Sequence, residues 1–583
     1  MRTLVIVPAR GGSRGLPHKN LREVGGVSLV GLAVRCGREA LRRLSLEGRV
    51  LVDTDSDAIA GEAKRHGGWV PFLRPLELAA DATPMVDNVL HACRRLAATE
   101  WLPELLLLLQ PTSPLREVEH VVACLRAGLE GGGRSVVSVV EQDHPAEQTL
   151  RLASDSAMVW AWPDLRPESR RQDLPTGYRP SGAAYVTTVA LLEAHRSFFL
   201  PGRTIGVVMR REDAIDIDVE ADLILAQSLA SQRSVTPVQI GNRVVGPGRP
   251  CFIIAEAGVN HDGDVRRAHE LVDIAAEAGA DAVKFQTFEP EKLAAPSAAM
   301  ADYQVANTGR TESQADLLRR LVLPKDAHRE LQRHADDRGL VFLSTPFDEV
   351  SADFLEELGV PAFKIGSGEL TNHPLLAHVA AKGRSMLLST GMADLAEVLE
   401  AVEIVSRAGA PGVGVFHCVT SYPASPSDAN LRAMDTLRGA LRVPVGWSDH
   451  TLGIAVSLAA VARGADILEK HFTIDPSLPG PDHKASLSPG ELASLVRAAR
   501  EIELSLGDGR KQARPAEIPL IRAARRSLHA ARELPAGHLI APGDLVALRP
   551  GDGLSPALLD SLAGRATVRL VPAGTKLSED DLA

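Results

Sequence analysis

Between Cys251 and His471, short apolar runs alternate with helical stretches eight times. Continuous apolar runs of this length are typical of strands buried on both faces, as in parallel sheets covered by helices. Eight such β/α units in about 250 residues are the number and length of a TIM barrel. We therefore predict a (β/α)8 barrel with strands at Phe252–Ala255, Ala282–Phe285, Val341–Leu343, Ala362–Ile365, Met386–Leu388, Val413–Phe416, Val443–Val445 and Ala465–Leu468.

Polar residues of this region collect where the predicted strands end. Glu256 follows the first strand, Lys284 and Lys364 lie in the second and fourth, and His450 and His471 follow the last two. The active site of such a barrel lies at the C-terminal ends of its strands, so we expect these side chains to meet at one mouth. Lysines and hydroxyl groups there would suit a phosphorylated anion beside a metal.

The two histidines belong to one predicted βαβ unit, in which the helical segment Leu452–Arg463 joins neighbouring parallel strands. Neutral imidazoles that converge at one end of a sheet suit a borderline divalent metal with positions open for substrate. Two unrelated histidines at strand ends are the alternative, and it stays open on this pair alone.

A second α/β region precedes the barrel. Strand-like runs alternate with helical stretches, which predicts an open, Rossmann-like α/β sheet. The first run leads into glycine-rich PARGGSRGLPHKN, whose glycines and cations suit a phosphate group. This turn matches neither the Walker loop nor the dinucleotide pattern, and alone it is equally well explained as an ordinary loop. The predicted strands are Thr3–Val7, Val50–Val52, Leu105–Leu109, Val136–Val140 and Ala214–Asp218, and the helical stretches are Ser28–Arg43, Pro84–Leu96 and Val118–Leu129.

Asp216 and Asp218 lie two residues apart in the last of these predicted strands. Residues at i and i+2 of a strand share one face, so both carboxylates could hold one Mg²⁺ beside a triphosphate. A solvated acidic strand edge is the competing explanation.

Four motifs in order, PARGGSRGLPHKN, LLQPTSPLR, RQDLPTGYRPSGAAY and AIDIDVE, resemble the acylneuraminate cytidylyltransferases over residues 1–230. The resemblance implies transfer of CMP from CTP to the anomeric hydroxyl of a nine-carbon α-keto acid sugar, with release of pyrophosphate. One departure is Asp53, which stands where these enzymes usually have serine.

The same resemblance implies roles for individual residues. Arg10 and Lys19 would be catalytic and, with Ser13, Arg14 and Asn20, would hold CTP. Asp216 and Asp218 would hold Mg²⁺. The expected contacts to the sugar acid are Gln110, Thr112, Arg171, Arg179, Phe198 and Phe199.

Eight further motifs resemble the sialic acid synthase family: AEAGVNHDG, KFQTF, STPFD, KIGSGE, STGM, WSDHTLG, EKHFT and GPDHKASL. RRSLHAARELPAGHLI and LRPGDGLSP resemble the antifreeze-like (SAF, β-clip) domain of that family. This resemblance implies condensation of phosphoenolpyruvate with an N-acylmannosamine-type aldose in the barrel.

By motif position, His450 and His471 would hold Mn²⁺ or a similar divalent cation that polarises the sugar aldehyde. Glu256 and Asp482 would be catalytic residues that hold sugar hydroxyls, with Tyr422 in the same pocket, and Thr420 stands where some members have asparagine. The expected phosphoenolpyruvate contacts are the catalytic Lys284 and Lys364 together with Thr345, Ser367, Ser389 and Ser448.

The tail suggests an oligomer. In the resembling synthases this domain covers the barrel mouth of a partner subunit, so we expect a homodimer or higher homo-oligomer in which Arg549 completes the partner's sugar site. The predicted fold is thus α/β and multidomain: a cytidylyltransferase domain at 1–230, a linker at 231–237, the barrel at 238–510 and the antifreeze-like domain at 522–583.

Charge and composition exclude several classes of partner. A net charge of -10 at pH 7 gives no electrostatic footprint for nucleic acid. The five cysteines are scattered without a C-x-x-C pair, which favours a reducing compartment. No apolar run is long enough to cross a membrane, and the first residues lack the apolar region of a signal peptide. We expect a cytoplasmic protein.

The two halves fit one pathway, in which the barrel makes an α-keto acid sugar and the first domain activates it as a CMP conjugate. We therefore expect a bifunctional nonulosonic acid synthase and cytidylyltransferase. A legionaminate- or pseudaminate-type product, made from a 6-deoxy, diacylamino hexose, is the nearest alternative. The eight-carbon sugar acid KDO system and a chain with only one active half are the others, and the antifreeze-like tail argues against KDO.

Overall fold

The structure is a computed structural model of the chain. It describes residues 1–13, 15–80, 83–98, 101–132, 134–142, 149–152, 158–160, 174, 176–233 and 235–583. Two residues with expected roles, Arg14 and Arg171, lie outside these ranges. The chain divides into two compact units, Met1–Ser505 and Leu506–Ala583.

The first part of unit one is an α/β region built on buried apolar strands. Its strands are β1 (Thr3–Pro8), β2 (Glu23–Val24), β3 (Val27–Ser28), β4 (Gly48–Asp53), β5 (Leu105–Leu108), β6 (Ser135–Glu141), β7 (Leu150–Leu152), β8 (Met158–Trp160), β9 (Tyr178–Thr188) and β10 (Thr204–Met209). Its helices are α1 (Leu29–Arg43), α2 (Asp57–Arg65), α3 (Met85–Ala97), α4 (Val118–Glu130), α5 (Val189–His195) and α6 (Glu220–Gln232). Helix α6 therefore extends into the first two residues of the predicted linker.

Within the described ranges, six of these strands form one sheet in the order β10-β6-β9-β5-β1-β4. Strand β1 is parallel to both β4 and β5, whereas β9 is antiparallel to β5 and β6. The carboxyl ends of β1 and β5 are therefore neighbours at one edge, and the loops after them share that edge. The prediction of an open α/β sheet is confirmed.

The prediction of a strand at Ala214–Asp218 is wrong. This segment follows a single 3-10 turn at Arg211–Asp213 and forms no ladder with any strand of the described residues. Instead, the Ile217 amide donates one hydrogen bond of 2.8 Å to the Thr112 carbonyl. The segment is extended, and it runs along the loop after β5.

The second part of unit one begins with a hairpin, β11 (Val238–Ile240) and β12 (Arg243–Val245), and continues as a barrel. The barrel strands are β13 (Phe252–Gly258), β14 (Ala282–Thr287), β15 (Val341–Pro346), β16 (Ala362–Ile365), β17 (Ser385–Ser389), β18 (Val413–Cys418), β19 (Val445–Asp449) and β20 (Ile467–His471). The helices are α7 (Val265–Glu277), α8 (Pro290–Leu293), α9 (Asp302–Thr308), α10 (Gln314–Leu321), α11 (Lys325–Asp337), α12 (Glu349–Leu358), α13 (His373–Ala380), α14 (Leu395–Ala408), α15 (Ala433–Leu441), α16 (Ala455–Ala462) and α17 (Pro489–Leu506).

All eight predicted barrel strands are present, and they form a parallel sheet that is nearly closed between β15 and β16. Most of them extend into the polar residues after the apolar run, because those residues still pair with a neighbouring strand. Ser448, for example, lies opposite Glu469 in the ladder between β19 and β20. Strands therefore hold several of the polar side chains at the mouth, among them Glu256, Lys284, Ser448, Glu469 and His471.

The amino-terminal end of the barrel is closed by apolar packing. Val238, Ile240 and Val245 of the hairpin join an interior cluster with Phe252 and Phe416, and all five side chains are almost fully buried. This leaves the opposite end, where the polar residues collect, as the mouth.

Unit two has its own small core. It contains α18 (Ile518–Ala524), β21 (Ser527–Ala530), β22 (Leu545–Leu548) and α19 (Leu559–Leu562), with β21 antiparallel to β22. Leu528, Leu534 and Leu577 are fully or almost fully buried at its centre. Across both units, no helix of the described residues is long and apolar enough to cross a membrane.

Candidate functional site

A cleft of about 560 Å³ opens at the carboxyl ends of β1 and β5. Seven of the residues proposed for CTP, sugar acid or Mg²⁺ line it: Arg10, Ser13, Lys19, Asn20, Gln110, Thr112 and Asp218. The loop after β1 is tethered by two hydrogen bonds, one of 2.8 Å from the Gly11 amide to Asp55 and one of 2.9 Å from the Asn20 side chain to the Arg10 carbonyl. The cleft is thus lined by cations and by polar side chains.

Of the two aspartates, Asp218 lines this cleft, whereas Asp216 is not among its lining residues, and the two have different partners. Lys19 Nζ is 3.0 Å from Asp218 Oδ1 and donates to the Ile217 carbonyl at 2.8 Å. Loss of hydration raises the pKa of Asp216; a hydrogen bond from Thr112 lowers it and the charge of Asp218 raises it. The charge of Asp218 thus acts on Asp216, which places the two carboxylates in the same region of the domain.

Arg74 also lines the cleft, and sequence reasoning missed it. Its guanidinium donates to the Asp53 carboxylate at 2.8 Å and to the Asp53 carbonyl at 2.7 Å, and both side chains are buried. The aspartate that departs from the family pattern therefore has a structural partner. A buried arginine needs a partner for its charge and its N–H groups, but the sequence does not reveal which residue supplies it.

The remaining residues described by the structure and predicted to contact the sugar acid, Phe198, Phe199 and Arg179, have different surroundings. Phe198 and Phe199 pack around Tyr185, with ring centroids 5.5 and 6.1 Å from it, and Asp216 helps to raise the pKa of that tyrosine after burial. The aromatic pair and the charge of Asp216 thus both act on Tyr185. Arg179 is exposed on β9 and is not among the described residues that line the cleft.

At the barrel mouth, Glu469 is the centre of a buried charge network. Lys364 Nζ donates to both of its carboxylate oxygens, at 2.7 and 2.8 Å, and Ser448 Oγ donates at 3.0 Å. Lys284 Nζ is 3.7 Å from Glu469 and 2.8 Å from Glu256. Two lysines and two carboxylates are thus enclosed together, and each is less than one-twentieth exposed.

The charges in this network depend on one another. Burial opposes ionisation of Glu469, but the two lysine charges hold its pKa well below the usual range. Burial raises the pKa of Glu256, against the effect of Lys284, and lowers that of Lys364 despite the carboxylate beside it. Lys284 also donates to Thr345 at 3.0 Å. The lysines are therefore fixed in place before any substrate arrives.

Glu469 was not among the predicted site residues. Strand alternation could have identified it, because residues two apart in β20 point to the same side and His471 had already been assigned to the mouth. The intervening Lys470 points the other way, 3.0 Å from Asp449. That pair is fully buried and stabilises the outside of the barrel wall.

The two predicted metal ligands lie side by side. The rings of His450 and His471 have centroids 5.6 Å apart, and the ring of Tyr422 is 4.2 Å from His450. Burial lowers the pKa of both histidines, so they are neutral. His450 Nδ1 donates to the Val419 carbonyl at 2.7 Å, which leaves Nε2 with its lone pair.

These two residues fit a divalent metal. His471 Nδ1 is buried with no hydrogen-bond partner in the described part of the chain, which is unusual for a buried ring nitrogen. Neutral imidazoles with free lone pairs are ligands for borderline metals. No group of three His, Cys, Asp or Glu residues suited to a metal occurs among the described residues.

Gly391 allows three side chains at the mouth to converge. A Cβ at this position would lie 2.9 Å from Ser367 Oγ and 3.1 Å from Cys418 Sγ, and it would collide with Thr420. The Gly391 amide also donates to Ser367 Oγ at 3.0 Å. Ser389 ends β17 beside this group and is buried.

Asp482 is buried in the loop before α17, and burial raises its pKa to about 6. The neighbouring His483 opposes this rise in pKa, and the charge of Asp262 adds to it. His483 itself is held by Thr473 at 2.6 Å and by Asp262 at 3.0 Å. A carboxyl group kept at an elevated pKa in this way is typical of functional sites.

The Asp482 shift predicts a pH-dependent cost in stability. Below its ordinary pKa of 3.8, the Asp482 carboxyl is neutral in both the folded and the unfolded chain. Between pH 3.8 and about 6 it ionises only in the unfolded chain, so the folded state loses stability as the pH rises through this range. We expect the melting temperature of the Asp482→Asn barrel, relative to that of the wild type, to rise by roughly 5 °C between pH 4 and pH 7. A constant difference across that range, measured by thermal unfolding, would contradict the shift.

In unit two, Arg549 is exposed and donates from Nε to the Ala524 carbonyl at 3.0 Å. The expectation that it completes the sugar site of a partner subunit concerns a second chain and stays a prediction.

Known proteins match the chain in three consecutive parts. Residues 4–223 match the family described as Cytidylyltransferase, residues 271–511 the NeuB family, and residues 525–583 the SAF domain. These matches are in the predicted domain order.

Several curated synthases match more than half of the chain. The chain is 46% identical to the N,N'-diacetyllegionaminic acid synthase of Legionella pneumophila over 57% of this chain and 94% of that protein. It is 45% identical to the synthase of the same name from Campylobacter jejuni, over 54% of this chain and 96% of that protein. Human N-acetylneuraminate-9-phosphate synthase is 38% identical over 58% of this chain and 94% of that protein. The chain belongs to the NeuB family and is an enzyme that joins this synthase to a cytidylyltransferase, both acting on sialic-acid-like nonulosonic sugars.

Proposed function

We propose that the barrel condenses phosphoenolpyruvate with an acylamino hexose. A carbon–carbon bond forms between the enol carbon and the sugar aldehyde, one water is consumed, and phosphate leaves, which gives an α-keto acid with three more carbons than the sugar. The observation that carries this proposal is the pair of buried lysines, Lys284 and Lys364, fixed by Glu256 and Glu469 at the mouth.

The arrangement suits a small dianion with a carboxylate. Lys284 and Lys364 are 3% and 2% exposed, so their charges act in a site from which water is largely excluded. Ser448 and Thr345 hydroxyls already contact this network. We assign the phosphate and carboxylate of phosphoenolpyruvate to these groups and to the Ser367, Ser389 and Thr420 side chains nearby.

We assign a divalent metal, Mn²⁺ or similar, to His450 and His471, where it would polarise the sugar aldehyde. The lone pair left on His450 Nε2 and the unpartnered Nδ1 of His471 support this assignment. Tyr422 beside His450 would line the sugar pocket. Glu256 and Asp482 would accept hydrogen bonds from sugar hydroxyl groups.

We further propose that the first domain transfers CMP from CTP to the anomeric hydroxyl of that acid, with pyrophosphate as the leaving group. Arg10, Lys19 and Asn20 line a cleft large enough for a nucleotide, next to Gln110 and Thr112 on the second loop. Asp216 and Asp218 would hold Mg²⁺ beside the triphosphate. Lys19, which already pairs with Asp218, would then neutralise phosphate charge.

The sugar is proposed to be a diacylamino hexose of the legionaminate type. The chain is 46% and 45% identical to two N,N'-diacetyllegionaminic acid synthases and 38% identical to a synthase named for N-acetylneuraminate 9-phosphate. An N-acylmannosamine is the second candidate, since the same barrel residues would serve it.

The direct test gives purified protein phosphoenolpyruvate, CTP, Mn²⁺, Mg²⁺ and either a 6-deoxy diacylamino hexose or an N-acylmannosamine, with products followed by mass spectrometry. We expect the α-keto acid first and its CMP conjugate second, both formed faster from the diacylamino sugar. A faster reaction with N-acylmannosamine would reverse the assignment of the sugar. Failure to consume phosphoenolpyruvate with either sugar would refute the synthase proposal.

Asp216→Asn and Asp218→Asn should each reduce CMP transfer by about 100-fold, because each removes one charge from the metal site. Condensation should be unaffected, since the barrel does not contain these residues. Asp57→Asn, an exposed position at the start of α2, provides the matched control. Full CMP transfer in both variants, measured with supplied sugar acid, would exclude the two aspartates as ligands.

A further inference from the structure

The barrel flank formed by α14 and α15 packs against the cytidylyltransferase region. Gly25 and Gly26 form the turn between β2 and β3, with φ of 61° and 77°, and this turn lies on α15. A Cβ on Gly25 would lie 2.7 Å from the Gly439 carbonyl oxygen, and one on Gly26 would collide with Thr436. The fit leaves no room for a side chain, so the two regions are in direct backbone contact.

A charged group crosses the same boundary. Glu117, at the start of α4, has its Oε1 atom 3.2 Å from Arg442 of the barrel, 3.6 Å from Arg233 and 3.7 Å from Arg210. The Arg442 carbonyl accepts a hydrogen bond of 3.1 Å from the Thr236 amide in the segment that joins the two regions. Arg442 therefore holds both the side chain of Glu117 and the backbone of the connection.

Glu117 ends the loop that carries Gln110 and Thr112, and this loop is stiff. The buried Arg116 guanidinium donates to the Ser113 carbonyl at 2.8 Å, to the Ala183 carbonyl at 3.0 Å and to the Gln110 carbonyl. Arg233 also donates to the Leu115 carbonyl. These bonds connect the backbone next to Glu117 with the segment that carries Gln110 and Thr112.

We propose that Arg442, although it belongs to the synthase barrel, is a positioning residue for the cytidylyltransferase site. By holding Glu117 it fixes the loop that presents Gln110 and Thr112 to the sugar acid. This inference rests on the proposed CMP transfer. It makes the barrel a structural part of the second enzyme, so the two activities are coupled through a rigid contact rather than only through a shared intermediate.

The strongest test reverses the charge at the boundary. Arg442→Glu places a carboxylate against Glu117, whereas Arg442→Lys keeps the charge; both substituents have a Cβ, so the strain at φ 55° is unchanged. Arg333→Glu on α11, where Nε donates to the Arg329 carbonyl of the same helix, controls for the change in net charge. Single half-exposed pairs contribute little, which is why reversal is preferred to removal.

In Arg442→Glu we expect the KM for the sugar acid to rise by about five- to tenfold, with the KM for CTP and the rate of condensation unchanged. Arg442→Lys and Arg333→Glu should stay within about twofold of the wild type. An unchanged KM for the sugar acid in Arg442→Glu would overturn the proposal. A parallel loss of condensation would overturn it as well, because it would mean that the substitution damages the barrel itself.

Backbone hydrogen exchange supplies a readout that does not depend on catalysis. We expect faster exchange in residues 110–117 of Arg442→Glu than in the wild type, and no change in Arg333→Glu. A wild type that transfers no CMP would refute the proposed function, while this exchange measurement would still test the positioning role. Equal exchange of residues 110–117 in the wild type, Arg442→Glu and Arg333→Glu would overturn the positioning role of Arg442.

Discussion

Replacing either His450 or His471 with alanine is expected to lower condensation at least about 1,000-fold and to leave CMP transfer to supplied sugar acid intact. The two rings have centroids 5.6 Å apart at the ends of neighbouring strands, and both are neutral at pH 7. Loss of one imidazole removes half of the protein ligands proposed for the metal, and with it several kcal/mol of charge stabilisation at the aldehyde. Condensation is measured as phosphate release from phosphoenolpyruvate.

The metal itself supplies a second readout. Wild-type protein should retain about one equivalent of Mn²⁺ after gel filtration, and each variant should retain much less. His378→Ala is the matched control, because this histidine pairs with Asp353 at 2.7 Å and is more than a third exposed. Full-rate condensation by chelator-treated, metal-free wild type would remove the basis of the metal assignment.

The barrel could be predicted from the sequence because its strands are buried on both faces and therefore appear as short, continuous runs of apolar residues. Each strand end was also recognisable, since polar residues come after every run, and the pairing of Ser448 with Glu469 puts the two histidine-bearing ends in line. The first region was harder. Strand β9 contains proline, glycine and several polar residues, so its antiparallel place between β5 and β6 left no clear pattern.

The errors at the sites have a common cause. Asp216 and Asp218 were placed on a strand, but an extended segment becomes a strand only when a neighbour pairs with it, and the sequence does not name that neighbour. Arg74 escaped notice because its partner Asp53 is a single residue in a distant strand. The contact between Glu117 and Arg442 spans 325 positions, which no local pattern can reveal.

Glu469 illustrates the same limit within the barrel. Every side chain of its strand is buried, so hydrophobicity does not distinguish the inner face from the outer one, and only its spacing of two residues from His471 indicates that Glu469 faces the mouth. In the structure the ion-pair partners distinguish the two faces of β20: Glu469 accepts hydrogen bonds from Lys364, whereas Lys470 pairs with Asp449 on the other face. Glu469 is thus the carboxylate that contacts Lys364 directly, with Lys284 3.7 Å away.

We expect Glu469→Gln to lower condensation by at least about 100-fold and to destabilise the barrel by about 3 kcal/mol. Glutamine keeps the shape of the side chain but removes the charge that Lys364 contacts at 2.7 and 2.8 Å, which leaves a buried ammonium group without a counter-ion. Glu501→Gln, at an exposed position of α17, is the control. Stability is measured by denaturant unfolding and condensation by phosphate release.

The double variant Glu469→Gln, Lys364→Met separates stability from catalysis. Removing both members of a buried ion pair costs far less than removing one, because no charge is left uncompensated. We therefore expect the double variant to recover most of the lost stability while condensation stays as low as in Glu469→Gln, since Lys364 is proposed to bind phosphoenolpyruvate. If the double variant were no more stable than the single one, the network would not be held by charge. If Glu469→Gln alone condensed at the wild-type rate, the buried carboxylate would not be needed to place the two lysines.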